Sequence, residues 1–470
     1  MASEIKVNNI KEATGTTITL GDGAGKTITV DAATVNLGRC GGTVALACGA
    51  TSTGFGITGI TWCTTAKTGA FCAAAGSGYL VNTTSTAFTA TLPGSPTIGD
   101  QIAFVDFAGT FDSNALTVGA NSKKIKGSTC DATVDAARGA VTIIYTGTTQ
   151  GWITTSQANA ASFLQETFIV ATGGNTTITC GNYKTHIFTA TGPLCVSVAG
   201  SGGAALEQID YLVVAGGGGA GDGTSNGGGG AGAGGYREGR SCPGNYTGSP
   251  LVAATGITSA VTDYTITVGG GGPGGTGNGC QGSSSVFSTI TSAGGGYGGY
   301  ANNAGGPGGS GGGGSYQGNG GCGNDPAVSP AQGFDGGGTG ACPSSAGNGG
   351  GGALVVGGAA TATPAGGAGG NGANIGCNFF GPTSPSYGTP GSNPGRYFSG
   401  GGGSSGYGAP APASPGGEGG GGAGGIPSGN GVNGTVNTGG GGGGGRGGTS
   451  APHTGGDGGS GFVAIRYKFQ

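Results

Sequence analysis

The chain has 470 residues, of which 125 are glycine, with 16 Lys and Arg, 19 Asp and Glu, and a net charge of −3. An ordinary soluble domain carries roughly 7% glycine and about 25% charged residues, whereas only 7% are charged here, which excludes both a typical enzyme composition and a charge-solvated disordered chain. Glycine falls in runs with only 20 prolines, which excludes a collagen triple helix, and no basic stripe offers the electrostatic footprint of a nucleic-acid binder.

The opening residues Met1-Ala2-Ser3-Glu4-Ile5-Lys6 lack a positively charged region followed by an apolar one, so no export signal is expected. No window approaches the ~18 apolar residues of a membrane span, so no membrane insertion is expected. Residues 16–20 and 26–30 read as strands, rich in Thr, Ile and Val. Between them, 21–27 superficially resembles a phosphate-binding loop, but Leu20 stands where its first glycine belongs. Residues 1–36 form a small β element and 37–75 a connector rich in Cys and Ala. A sandwich-like domain follows over 76–156, with strands at 87–92, 101–105, 140–145 and 151–155. Residues 157–206 make a further small β-domain, with strands at 168–170, 176–179, 186–189 and 195–198. No segment sustains a 3.6-residue apolar period, so the chain reads as all-β.

Of the glycines, 29 precede Tyr211 and 96 follow it. That shift places a boundary near residue 207, and 207–470 forms a glycine-rich domain. A few apolar strands, at 211–214, 264–268, 286–290 and 461–469, punctuate glycine tracts near 216–235, 269–279, 294–314, 346–372 and 400–449. An isolated glycine tract is disordered, because it loses most backbone entropy on ordering and has nothing to bury. Several tracts side by side have another option. In polyproline II form the amides point outward, and glycine lets backbones approach closely enough to hydrogen-bond between helices. The strands between the tracts favour this bundle.

Twelve cysteines are scattered along the chain without a CxxC, and only His186 and His453 are present, so no zinc cluster and no cofactor are expected. The pairs Cys40/Cys48, Cys63/Cys72, Cys180/Cys195 and Cys322/Cys342 are spaced to close short loops, Cys180 and Cys195 by stapling neighbouring strands; buried free thiols are the alternative. Gly308–Gly312 matches GxSxG around Ser310, but nothing places a His beside it. With nine acidic residues from Glu207 on, paired catalytic carboxylates are poorly supported, and no enzyme activity is expected. The N-x-T triplets at Asn82, Asn175, Asn245 and Asn433 carry no weight without export.

Within the glycine-rich half, 378–398 gathers Phe379, Phe380, Tyr387, Arg396, Tyr397 and Phe398 in a Pro-rich loop, and Tyr316 and Tyr407 lie elsewhere among the tracts. Exposed aromatics with an Arg are the composition of binding hot spots, so these eight residues are the candidate receptor-binding set. The same rings would otherwise cap the bundle or pack against strands.

Ser3–Ile10 with Ala13–Gly21 resembles the N-termini of tail-fibre proteins of tailed bacteriophages, particularly those of marine cyanobacteria. Tyr79–Asn82, Thr91–Pro96, Phe104–Thr110 and Asn114–Val118, through Gly151-Trp152, resemble a β-domain of such fibres. Tyr211–Gly219, Gly234–Glu238 and Gly461–Tyr467 resemble their glycine-rich adhesin tip. The resemblance implies a homotrimeric fibre on the virion tail, made in the host cytoplasm and released by lysis. The N-terminus would bind a virion tail protein and the tip a host surface glycan or protein. A structural decoration fibre or filament subunit, and a glycan-degrading tailspike, are the competing expectations.

Overall fold

The computed structural model divides the chain into two units, Met1–Gly59 and Ile60–Gln470. The described residues are 60–470 apart from 160–162, 166, 203, 225, 242–245, 339–344, 362–364, 382–386, 408–412, 427–428 and 449–452. The expected attachment element, the strands at 16–20 and 26–30, Cys40, Cys48 and Cys342 lie outside them. The described chain is nearly all β, with one four-residue α-helix, α1 (Ala204–Glu207), and a single 3-10 turn at Cys377–Phe379.

The first ten strands are β1 (Thr61–Lys67), β2 (Phe71–Cys72), β3 (Ser77–Val81), β4 (Phe88–Thr91), β5 (Gln101–Asp106), β6 (Leu116–Gly119), β7 (Ala132–Val134), β8 (Ala140–Tyr145), β9 (Trp152–Ala158) and β10 (Phe163–Gln165). They form two five-stranded sheets, ordered β1-β3-β5-β8-β9 and β10-β7-β6-β4-β2. From β1 to β6 the chain changes sheet at every strand. Sheet neighbours there therefore run the same way, and β1–β3, β3–β5, β2–β4 and β4–β6 pair in parallel. Period-2 alternation fills the space between the sheets: in β8, Val141, Ile143 and Tyr145 point inward, onto a core that includes Phe104, Phe111 and Trp152. The domain begins earlier than the expected residue 76, because β1 and β2, inside the expected connector, supply an edge strand to each sheet.

The remaining strands are β11 (Val170–Gly173), β12 (Thr176–Cys180), β13 (Tyr183–Phe188), β14 (Gly192–Val198), β15 (Gln208–Val214), β16 (Tyr236–Gly239), β17 (Val252–Ala253), β18 (Ile257–Thr258), β19 (Thr262–Ile266), β20 (Ser285–Phe287), β21 (Ile290–Ser292), β22 (Ala373–Ile375), β23 (Arg396–Phe398) and β24 (Phe462–Lys468). The main sheet runs β12-β13-β24-β15-β16-β17, and a smaller one runs β11-β14-β19. Strands on both sides of residue 207 are thus interleaved. β13 pairs with β24 along its whole length, from Tyr183↔Lys468 to Phe188↔Val463, so 170–198 is the base of the glycine-rich domain rather than a small domain of its own.

The main sheet is buried on both faces. From β15 and β24, Ile209, Tyr211, Val213, Val463, Ile465 and Tyr467 face the smaller sheet. Leu212, Val214, Phe462 and Ala464 face the opposite way, into a second apolar cluster. A strand covered twice has no polar face, which is why Tyr211–Val214 reads as an unbroken apolar run.

From this base the glycine tracts run out and back. Their hydrogen bonds repeat every three residues. Along 215–223, Ala215, Gly218 and Gly221 donate to Gly235, Gly232 and Gly229; Gly216, Gly219 and Asp222 to Ser283, Cys280 and Gly277; and Gly217, Ala220 and Gly223 to Gly459, Gly456 and His453. One tract thus faces three neighbours in rotation, the repeat of a helix with three residues per turn. The tract 400–405 behaves alike, bonding successively to Gly419, Gly370, Ala231, Gly422, Gly367 and Gly228. The interior of this bundle is backbone, with a few buried hydroxyls set into it: Ser404 Oγ donates to Gly347 O and Gly367 O, and Ser315 Oγ to Gly227 O.

Candidate functional site

The rings expected to bind a receptor from 378–398 are in the core. Phe379, Phe380 and Phe398 are at most 1% exposed and Tyr397 4%. Phe380, Phe398 and half-buried Tyr387 close over the second face of the main sheet, packing on Phe462 at 5.9 Å, 5.2 Å and 5.3 Å between centroids. Arg396 does not reach out either. Its Nε donates to Tyr387 O and its Nη2 to Gly388 O, both at 2.6 Å, holding the segment closed. The physical reason lies in Leu212, Val214, Phe462 and Ala464, an apolar sheet face that this segment removes from water. Phe379, Phe380 and Phe398, with Tyr387 beside them, are corrected from contact loop to core cap, while Tyr397 is buried against Gly391, its hydroxyl accepting from Asn393 N.

Tyr316 and Tyr407 are placed differently. Among the described residues, tracts leaving the base reverse at 300–303 and 315–318, at the far end of the bundle. Asn303 N donates to Tyr300 O across one such reversal, with Ala301 and Asn302 at positive φ. Tyr316, at φ +50°, occupies the next, where Gly318 N donates to Ser315 O. The reversals are tied together: Ser315 N donates to Asn303 O, Asn226 Nδ2 to Asn302 Oδ1 at 2.8 Å, and Tyr300 N and Asn303 Nδ2 both to Asn278 Oδ1. Half-buried Tyr407 bridges Gly447, which lies against Asn226. The far end therefore carries Tyr300, Tyr316 and Tyr407 among the amides of Asn226, Asn278, Asn302 and Asn303. Asn278, Asn302 and Asn303 are exposed. The density of Asn where glycine tracts end is the sequence signal for this surface.

Buried charge lies close beneath it and at the base. At the far end, burial pushes the Asp222 carboxyl up, against the pull of Gly223 N–H and His453. At the base, Arg466 Nη1 donates to Asp210 Oδ2 at 3.2 Å, with its guanidinium 3.7 Å from the Tyr183 ring centroid. Ser241 donates to Asp210 Oδ1 through N and Oγ. Burial also raises Glu238, which accepts from Tyr236 OH at 2.8 Å and Ser249 N at 3.1 Å. These groups are shut away from solvent and act as structure.

The remaining sequence candidates resolve simply. Ser310 is fully buried, and its N donates to Ala233 O inside the bundle, so it forms no nucleophile elbow. His186 uses both nitrogens internally: Nδ1 meets Gly173 O at 2.7 Å, so it carries the proton, and Nε2 accepts from Tyr467 OH at 2.9 Å. Cys63, Cys72, Cys180, Cys195 and Cys322 are free thiols. Cys63 in β1 and Cys72 in β2 belong to opposite sheets of the sandwich, and Cys180 in β12 and Cys195 in β14 likewise to different sheets, so neither pair ends neighbouring strands. Cys195 instead sits across from Asp263, whose hydrogen bond raises the thiol. Among the described residues, no group of three or more His, Cys, Asp or Glu is arranged to hold a metal ion, and no helix is long and apolar enough to cross a membrane.

No curated protein matches the chain. A family described as a glycine-rich domain matches residues 200–468.

Proposed function

The chain belongs to the glycine-rich domain family, and from that premise we propose that it is a tail-fibre adhesin, whose bundle offers its far end to the host surface. The observation that carries this reading is the gathering of Tyr300, Tyr316 and Tyr407 with four asparagines on one end of the backbone lattice. Aromatic faces and amides suit neutral sugars or polar peptide surfaces. The backbone lattice fixes the position of these loops without contributing side chains that select a ligand, so loop sequence can change while the support stays constant. The resemblance of the sandwich and of the tip to fibre segments supports attachment to a virion tail. Several copies per particle would strengthen weak single contacts by avidity.

The test is adsorption of virions carrying Tyr300→Ala, Tyr316→Ala and Tyr407→Ala together. Adsorption is expected to fall at least about tenfold, as the loss of a few aromatic contacts gives, while particle assembly and fibre melting hold. Unchanged adsorption by these particles overturns the reading.

A further inference from the structure

The outer face of the sandwich sheet β1-β3-β5-β8-β9 carries a second feature, independent of the far end of the bundle. Trp62, Gly78, Ala103, Thr142 and Ser156 stand in one row straight across five strands, each directly opposite the next. Directly opposed residues share a face, so this row runs from an indole through a position with no side chain to two hydroxyls. The Trp62 ring reaches over Gly78, where a Cβ would collide with its Cδ2 and Cε3 and with Ile60 Cγ2. It is still 45% exposed.

The adjoining outer row, Leu80, Val105, Ala140 and Ala158, is apolar. Trp62, Ala103, Val105, Thr142, Ser156 and Gln157 are among the residues that line an open trough of about 190 Å³ between Trp62 and β9. Its β9 wall is shaped by a bulge: Thr142 pairs with Ser156 but Ile143 with Thr154, leaving Thr155 extra. Bulges re-aim side chains beside binding sites. The volume lies below the roughly 300 Å³ at which drug-sized pockets begin, which suits a single ring. No charged side chain lines it.

We propose that this trough binds one neutral pyranose unit of a glycan, its apolar C–H face on the Trp62 indole and its hydroxyls toward Thr142 and Ser156. A ring of slightly positive C–H groups complements the negative face of an indole, and an uncharged lining favours a neutral hexose over a uronate or sialate, whose carboxylate would find no partner. This is a glycan site in the sandwich, distinct from the adhesive end, and it stands if the far-end reading fails.

The chain has only two tryptophans, Trp62 and the fully buried Trp152, so fluorescence open to a soluble quencher reports on Trp62. The full chain is titrated with methyl glucopyranoside, methyl galactopyranoside and methyl N-acetylglucosaminide, with methyl glucuronide as the charged comparison. At least one neutral glycoside should give a saturable blue shift and protect Trp62 from acrylamide. Calorimetry should show binding at least about tenfold weaker in Trp62→Ala, the equivalent of one well-made aromatic contact, with Trp62→Phe intermediate and circular dichroism unchanged in both. No saturable response to any neutral glycoside, or an equal response to the glucuronide, overturns the proposal. So does a Trp62 already shielded in the free chain and uncovered on dilution, which would put a second copy of the chain on the trough.

Discussion

Asp210 and Arg466 meet at the base of the glycine-rich domain with side chains only 3% and 4% exposed. Burial pushes the Asp210 carboxyl up and the Arg466 guanidinium down, opposed at Asp210 by the two Ser241 hydrogen bonds and at both by their contact with each other. Removing one partner leaves a buried charge without compensation, so Asp210→Ala should cost about 3–5 kcal/mol, whereas Asp210→Ala with Arg466→Met should recover much of that loss. Denaturant unfolding of the two variants checks this; equal losses would show that the pair itself is not the source. His186 gives a pH signature. Burial holds its imidazole below the ordinary 6.5, beside Lys184 and against the pull of Gly173 O. The unfolded chain therefore binds the proton more readily, and the stability contributed by the neutral ring is present above pH 6.5 and is lost as pH falls below it. The melting-temperature advantage of the wild type over His186→Gln should be largest near about pH 8 and shrink toward about pH 5. A constant difference across that range would contradict a neutral buried ring.

At the scale of the element, the glycine tract is stable only as part of a lattice. Each tract has no hydrophobic face of its own and no internal hydrogen bonds, so three neighbours must satisfy its amides in rotation. A side chain directed between two tracts meets backbone, which cannot rotate away: a Cβ at Gly230 would overlap Gly402 O and Gly402 C. Gly270 sits in a tract too, but with open space around the same position and no positive φ. Gly230→Ala should then destabilise by at least about 1–3 kcal/mol through overpacking, while Gly270→Ala should be neutral or add about 0.4–1 kcal/mol by restricting the unfolded chain. Thermal melts of the two single variants separate a lattice glycine from a merely compositional one.

Across the second half of the molecule, one sheet joins strands from Thr176 to Lys468. Its first strands, β12 and β13, precede the glycine-rich run, and β24, which follows that run, lies between β13 and β15. The cap formed by Phe379, Phe380, Tyr387 and Phe398 sits on that sheet, with Phe380 within 6.0 Å of Phe398 and 5.9 Å of Phe462 between centroids. Phe380→Ala should lower stability by about 3–5 kcal/mol, the ordinary cost of deleting a buried ring. At temperatures where the variant stays folded, host adsorption should remain that of the wild type. A specific loss of adsorption with unchanged melting would return the segment to the contact surface.

Read from residues alone, the strands 101–105, 140–145 and 211–214 are legible because alternation and apolar runs are local signals, and the observed elements fall on them at Gln101–Asp106, Ala140–Tyr145 and Gln208–Val214. The glycine-rich character of the second half, and its need for lateral partners, follow from composition and backbone entropy. The direction of each aromatic does not. Phe379, Phe398 and Tyr316 are alike as residues between glycine tracts, yet two seal a sheet and one stands at the far end of the bundle. Only the tertiary structure decided this, because burial depends on which apolar face, here that of β15 and β24, lies uncovered beside the segment. The pairing of β13 with β24, which sets His186 opposite Ile465, and the separation of Cys180 from Cys195 into different sheets were decided in the same way, by long-range strand order that no local pattern encodes.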